Sequence, residues 1–170
     1  LATAILLVST TVVLALPHHK TNSIEDSLRA GEAALAAATT TAPTTTIPLD
    51  ATTIPGQTTT TIPHAPTVTL VGDSVMVGAS PDVLDAFGGR ANIDAKVARQ
   101  AASLGPIIHQ LEIEGRLGER VVVQVGINGT VTEDDLHAIF AAANKRPVYV
   151  IDARVPRQWE QSNNALVKKL

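Results

Sequence analysis

Ser74 is the residue whose type and setting best suggest catalysis. It ends the stretch TVTLVGDS, in which an apolar run leads into Gly72-Asp73-Ser74. The pattern predicts a buried strand, a tight turn and a helix, which would lift the serine hydroxyl to the carboxyl edge of a parallel sheet. Gly72 would let the backbone bend and leave space for a substrate, while the helix N-terminus would favour an oxyanion. A helix cap is the alternative role for this serine.

A serine nucleophile also needs a base and donors that hold the oxyanion. Two candidate donors follow other predicted strands: the backbone N–H at Ala98 and the side-chain amide of Asn128, which lies between glycines. The alternative for Asn128 is a turn residue that tolerates left-handed backbone. His109 and His137 fall within predicted helices, so we expect them on helix surfaces rather than beside the serine.

The elements that would position these groups alternate between strand and helix from Thr67 onward. Apolar runs and 3.6-residue periodicity predict the following order: strand Val68–Val71, helix Pro81–Phe87, strand Asn92–Val97, helix Ala101–Glu114, strand Arg120–Val125, helix Glu133–Ala143 capped by Thr132, strand Pro147–Ile151 and a helix from Trp159. Such alternation predicts a parallel sheet with helices on both faces. Right-handed crossovers would then bring all the strand-to-helix loops to one edge.

The chain before this region has a different character. Residues 1–17 carry no charge and predict part of a transmembrane helix, with a signal-peptide core or a buried helix as alternatives. Residues 18–38 predict a juxtamembrane segment with a helix over 23–38. Residues 39–66 are rich in Thr and Pro and predict an extended linker suited to the outside of a cell. The predicted globular domain covers residues 67–170.

The amino-acid composition excludes some classes of catalysis and binding. The chain has no cysteine, which excludes disulfides and thiol catalysis. Its net charge is −3 and it shows no basic patch interleaved with aromatic residues, so nucleic-acid binding is not expected. We expect neither a cofactor nor a metal ion.

Four ordered blocks of the sequence resemble the SGNH hydrolase superfamily: GDSVMVGAS, DAKVARQ, VVVQVGINGTVTEDDL and VYVIDARVPRQWEQSNNAL. They are most similar to the extracytoplasmic domain of membrane-bound peptidoglycan O-acetyltransferases. The resemblance implies a three-layer α/β/α, flavodoxin-like sheet with Ser74 as the nucleophile. It implies the Ala98 backbone N–H and the Asn128 side chain as oxyanion donors, with Asp73 and Gly126 in supporting roles.

The sequence also departs from the family pattern. Ile127 stands where threonine usually precedes the asparagine. The Asp-x-x-His block, which supplies the catalytic base, is not reached by Leu170. We therefore expect an incomplete sheet with an unpaired edge strand and no activity in the chain by itself. Arg99 and Arg154 would lie near the cleft, where each could bind a glycan carboxylate or phosphate or instead form a structural salt bridge.

The function implied by the resemblance is acetyl transfer at the outer face of the cell membrane. Ser74 would take the acetyl group from an acyl donor, and a hydroxyl of a cell-wall glycan would then attack the acyl-serine. Two alternatives remain: a membrane-tethered carbohydrate esterase or lipase with the same serine chemistry, and a non-catalytic module that binds the cell wall.

Overall fold

The computed structural model of the chain describes residues 24–40 and 66–169. The elements, in order, are α1 (Ile24–Thr40), β1 (Val68–Gly72), α2 (Ser74–Phe87), β2 (Ala91–Ala95), a 3-10 turn (Ala101–Ser103), α3 (Leu104–Ile113), β3 (Arg120–Gln124), α4 (Glu133–Ala142), β4 (Val148–Ile151) and α5 (Glu160–Lys169). The predicted membrane segment, residues 1–17, and residues 41–65 of the predicted linker lie outside the described residues. None of the described helices combines the length and apolarity needed to cross a bilayer.

The four strands form one parallel sheet in the order β2-β1-β3-β4. Val71 of β1 lies between Asp94 of β2 and Val123 of β3, so the central strand has a neighbour on each side. The strand run from Val121 to Val125 is mostly buried, as expected for a strand covered on both faces. The predicted three-layer parallel α/β architecture is confirmed.

The sheet separates two hydrophobic cores. On one face, α2 packs its Met76 and Phe87 against Val68 and Leu70 of β1. On the other face, α3 and α4 pack against β1 and β3 in the larger core, and α5 adds Leu166 and Val167 to it. The fully buried side chains of the larger core include Val71, Leu104, Ile108, Val121, Val123, Leu136 and Ile139.

The start of α4 follows the sequence prediction. Thr132 accepts a hydrogen bond from the backbone N–H of Asp135, and the Asp135 carboxylate accepts one from the backbone N–H of Thr132. This reciprocal pair is a capping box, and it satisfies two N–H groups at the helix start.

The helix after the serine is longer than predicted. The sequence predicts a short helix with Pro81 near its first turn, but α2 runs unbroken from Ser74 to Phe87 with Pro81 inside it. Proline usually disrupts a helix interior because it cannot donate to the carbonyl four residues earlier, here that of Val77. In this fold, the Val77 carbonyl lies against a neighbouring helix, α1.

α1, which covers most of the predicted juxtamembrane helix, packs directly on α2. Gly31 is buried at the crossing, and a Cβ added to it would overlap the carbonyl oxygen of Val77. Ser27 approaches Gly78 of α2 in the same interface. Small residues on both helices therefore let the two backbones come into contact.

β4 forms an edge of the sheet. Among the described residues it pairs with β3 alone, and the side chains of Tyr149 and Ile151 are 40% and 46% exposed. The expected edge strand is therefore present in this part of the chain.

Candidate active site

Ser74 is the first residue of α2 and is partly exposed at the carboxyl end of β1. Asp73, the N-cap, is 3% exposed, and its Oδ1 accepts a 2.9 Å hydrogen bond from the backbone N–H of Val75. The bond fixes the turn because it satisfies an N–H at the helix start. Gly72 is needed for close packing: an added Cβ would lie 2.7 Å from Cβ of Met76. The space that a Gly72 side chain would occupy is thus filled by Met76.

The Asp73 carboxylate also contacts the candidate oxyanion donor. Its Oδ2 accepts a 3.0 Å hydrogen bond from Nδ2 of Asn128. The same Nδ2 donates a longer bond, 3.3 Å, to the backbone carbonyl of Arg99. These bonds therefore bring together the serine turn, the loop after β2 and the loop after β3.

Ala98 lies in the loop after β2 with φ at 61°, in the left-handed region. This conformation is unfavourable for a residue with a Cβ, and it persists where surrounding contacts hold it. The contacts are on both sides: the backbone N–H of Lys96 donates to the Gly72 carbonyl at 3.2 Å, and the Arg99 guanidinium pairs with the Asp94 carboxylate and carbonyl. The loop that carries the predicted Ala98 donor is thus fixed against β1 and β2.

The two candidate arginines differ in their surroundings. The Arg99 side chain is 9% exposed and is engaged by Asp94, which is the salt-bridge alternative considered from the sequence. Arg154 is exposed in the loop after β4. Arg99 therefore serves the loop geometry, and Arg154 alone remains available to a ligand.

Four residues that hold the site were not assigned this role from the sequence. Gln100 donates from Nε2 to the Asn128 carbonyl at 2.9 Å, and Gln124 accepts at Oε1 from the Asp73 backbone N–H at 3.2 Å. Trp159 and Asn163 of the β4–α5 region bond to the turn after β3. The sequence could have pointed to Gln124, because it is a lone polar residue in a run of valines that predicts a buried strand.

Gln124 is 5% exposed and has one unused donor. Its Nε2 has no hydrogen-bond partner among the described residues. A buried unpaired donor costs about 1–3 kcal/mol, so Gln124 carries a local energetic cost while its Oε1 binds the Asp73 N–H.

The described residues do not assign a catalytic base. His109 and His137 are exposed on α3 and α4, away from the ends of strands, as expected. Within residues 24–40 and 66–169, no group of three or more His, Asp or Glu side chains is arranged to hold a metal ion.

Comparisons with known proteins fit this arrangement. No protein-family model matches the chain. The O-acetyltransferase OatA of Staphylococcus aureus is 37% identical over 102 residues, which are 58% of this chain and 16% of that protein. The putative peptidoglycan O-acetyltransferase YrhL of Bacillus subtilis is 30% identical over 97 residues, 57% of this chain and 15% of that protein. The chain thus spans less than a fifth of the length of the curated relatives that it matches.

A solved structure matches the fold. The C-terminal catalytic domain of the peptidoglycan O-acetyltransferase OatA of Streptococcus pneumoniae, solved with a methylsulfonyl adduct, superposes with a TM-score of 0.51 at 24% identity. The match covers 62% of this chain and 59% of that one. The chain is therefore related in sequence to the OatA-type O-acetyltransferases and shares its fold with a C-terminal catalytic domain of that type.

Proposed function

We propose that this chain carries the nucleophile and the oxyanion donors of an O-acetyltransferase that acetylates a cell-wall glycan. The observation that carries the proposal is the Asp73–Asn128 hydrogen bond, which holds the amide beside the α2 terminus that bears Ser74. The sequence relationship to proteins named as O-acetyltransferases supports acetyl as the group, and the name of one of them, a putative peptidoglycan O-acetyltransferase, supports the cell wall as its destination.

The first half-reaction builds an acetyl-enzyme. Ser74 Oγ attacks the acetyl carbonyl carbon while a general base takes the hydroxyl proton. The carbonyl oxygen becomes an oxyanion, which the backbone N–H groups of Ser74 and Ala98 and the Asn128 amide stabilise. The donor's leaving group departs with a proton, and the acetyl ester of Ser74 remains. The resemblance assigns the base to a histidine of an Asp-x-x-His block, and we assign it to neither His109 nor His137.

The second half-reaction delivers the acetyl group. A glycan hydroxyl gives its proton to the base and attacks the acetyl-serine carbonyl, passing through the same oxyanion site. The Ser74 Oγ–acetyl bond then breaks, and the serine recovers its proton. Transfer and hydrolysis differ only in whether the sugar hydroxyl or water attacks, so acceptor binding decides the outcome.

The amide of Asn128 must become available to the oxyanion. In the structure it donates to Asp73 at 3.0 Å and to the Arg99 carbonyl at 3.3 Å. The longer bond is the weaker one. We propose that the bond to Asp73 is kept during the reaction and that the one to Arg99 is exchanged for the oxyanion.

The site would act outside the cytoplasmic membrane, where the glycan is found. The acyl donor and membrane attachment remain expectations from the resemblance. Arg154, exposed after β4, is the residue we propose for contact with an anionic group of the substrate.

The test uses the full-length protein with p-nitrophenyl acetate as acetyl donor and a peptidoglycan fragment as acceptor. We expect mass spectrometry to detect an acetyl-enzyme and acetylated glycan, both absent in Ser74→Ala. Ser80→Ala is the matched control, because Ser80 lies in the same helix with its hydroxyl bonded to the Met76 carbonyl. It should retain activity.

Other outcomes separate the alternatives. Acetate release to water without acetylated glycan would indicate an esterase. Glycan binding that is unchanged in Ser74→Ala, with no acetyl-enzyme in the wild type, would indicate a binding module. Acetyl transfer that survives Ser74→Ala would overturn the proposal.

A further inference from the structure

A side chain of α5 forms hydrogen bonds with the backbone of the turn that carries Asn128. Asn163, in the first turn of this helix, is 2% exposed. Its Nδ2 donates to the Gly129 carbonyl at 2.8 Å and, at a longer 3.4 Å, to the Gly126 carbonyl. Its Oδ1 accepts from the backbone N–H of Val131 at 2.9 Å. One side chain therefore bonds to the backbone on both sides of Asn128.

These bonds fix the orientation of the Asn163 amide. A flipped amide would place oxygen against two carbonyls and a donor against the Val131 N–H, so all three contacts would be repulsive. An aspartate, a leucine or an alanine cannot reproduce this set of one acceptor and two donors. The position therefore requires an amide with this geometry.

A second side chain adds to the same turn. Trp159 donates from Nε1 to the Gly126 carbonyl at 3.0 Å. Gly126 itself has φ at 90°, and a Cβ there would lie 3.0 Å from Nδ2 of Asn163. The turn thus needs glycine both for its backbone conformation and for the close approach of Asn163.

The helix that carries Asn163 is packed against the larger core. The backbone N–H of Asn163 donates to the Trp159 carbonyl at 2.9 Å, and α5 packs Leu166 and Val167 into the larger core. Oxyanion donors are effective when they are held in place before the reaction, so a fixed turn has a direct catalytic value.

We infer that Asn163, assisted by Trp159, is a positioning residue that holds Asn128 at the oxyanion. The inference rests on the proposed function, because it assigns Asn163 a role through the Asn128 donor. Asn163 does not contact the reacting atoms itself. It acts on the rate of the acetyl-transfer step rather than on substrate affinity.

Asn164 provides a matched comparison within the same helix. It makes a similar pair of hydrogen bonds, from Nδ2 to the Ala153 carbonyl at 2.7 Å and from the Ala153 N–H to Oδ1 at 3.1 Å. These bonds fix the loop after β4 instead of the turn of Asn128. Asn163→Ala and Asn164→Ala therefore remove the same kind of side-chain amide from two different loops, although Asn164 makes one contact fewer and is less buried.

The experiment measures kcat and KM for acetyl transfer by the full-length protein, with p-nitrophenyl acetate and a peptidoglycan fragment. Asn163→Ala should lower kcat by about 10- to 100-fold with KM within about twofold, since losing one oxyanion donor outright lowers kcat by roughly 100- to 1,000-fold. Asn164→Ala should keep kcat within about threefold. Trp159→Phe keeps the aromatic ring, removes one donor, and should lower kcat by roughly threefold to tenfold.

A double-mutant cycle separates positioning from a general structural effect. If Asn163 acts through Asn128, adding Asn163→Ala to Asn128→Ala should lower kcat no further than Asn128→Ala alone. If Asn163→Ala does not fold, Trp159→Phe in the Asn128→Ala background provides the same comparison.

Two results would overturn the inference while leaving the proposed function intact. One is an equal loss of kcat in Asn163→Ala and Asn164→Ala, and the other is a loss that multiplies with that of Asn128→Ala. Persistence of acetyl transfer in Ser74→Ala would overturn the proposed function and the inference together.

Discussion

Asp73 and Asn128 lie 55 residues apart in the sequence and are joined by a 3.0 Å hydrogen bond from Nδ2 to Oδ2. The other oxygen of the same carboxylate caps α2 through the N–H of Val75. A single buried side chain therefore links the helix start that bears Ser74 to the amide predicted to bind the oxyanion.

This link predicts the effect of Asp73→Asn. The amide can keep one oxygen for the Val75 N–H, but its NH2 would then face the NH2 of Asn128, so the link is lost. We expect a loss of about 1–3 kcal/mol in the free energy of unfolding, because buried polar groups are left unmatched. We also expect kcat for acetyl transfer to fall by roughly 100-fold. Asp82→Asn removes the same charge from an exposed position of α2 and is the control. Equal effects of the two variants would contradict this role of Asp73.

The left-handed backbone of Ala98 predicts opposite effects of two substitutions. Ala98→Gly removes the Cβ that makes φ = 61° unfavourable and keeps the backbone N–H. The gain is offset by the greater freedom of glycine in the unfolded chain, so we expect stability to stay the same or rise by up to about 1 kcal/mol, with activity retained. Ala98→Val places a β-branched residue in the same conformation and should lower both stability and kcat. Thermal unfolding and acetyl-transfer assays test the pair, and a stable, active Ala98→Val would refute the assignment.

The crossing of α1 and α2 predicts that two glycine-to-alanine changes differ in sign. Alanine raises helix propensity by about 1 kcal/mol relative to glycine, which by itself favours both changes. At Gly31, the new Cβ would overlap the Val77 carbonyl, so Gly31→Ala should push the helices apart and lower the melting temperature. At Gly78, the new Cβ would be 3.9 Å from Cβ of Ser27, so Gly78→Ala should be neutral or stabilising.

Hydrogen exchange checks the cause of the Gly31 effect. The amides of α1 should exchange faster in Gly31→Ala, while those of β1 and β3 should keep their protection. Unchanged exchange throughout α1 would show that the helix does not depend on this contact.

The ion pair of Glu112 with Arg146 leads to a prediction of how the stability of the fold changes in acid. Its hydrogen bond with Arg146, reinforced by one from Asn144, lowers the pKa of the Glu112 carboxyl below its ordinary value of 4.5. A carboxyl with a lower pKa in the folded state stabilises the fold above its unfolded pKa, and this contribution disappears as pH falls through the folded pKa. Glu112→Gln should therefore reduce the stability difference between pH 7 and the acid range.

Denaturant unfolding at a series of pH values measures this effect. The slope of the unfolding free energy against pH, below about pH 5, should be shallower in Glu112→Gln than in the wild type. Glu119→Gln removes the same charge from a side chain that is 74% exposed and is the matched control. An unchanged slope in Glu112→Gln would contradict the prediction.

The sheet and its site edge were predictable because their signals are local. Valine-rich runs define the buried strands, and parallel strands bring their carboxyl ends to one edge, so the loops that carry Ser74, Ala98 and Asn128 follow from the order of the elements. Thr132 was predictable as the cap of α4 for the same reason, since it lies within one turn of the Asp135 N–H that it binds; the reciprocal bond from Asp135 was not predicted.

The remaining features depend on contacts that hydrophobicity does not encode. Gly31 docks α1 through a backbone contact, and the sequence pattern over residues 23–38 predicted a helix without a partner. Pro81 is tolerated inside α2, although its local signal is that of a helix start. Asn163 recognises backbone groups 32 to 37 residues away, and nothing in the polar start of α5 specifies which groups those are.

The docking of α1 makes residues 24–40 part of the folded region. α1 contacts α2, and α2 in turn contacts β1, the strand that leads into the serine turn. A substitution that displaces α1 therefore acts on the same helix that begins with Ser74.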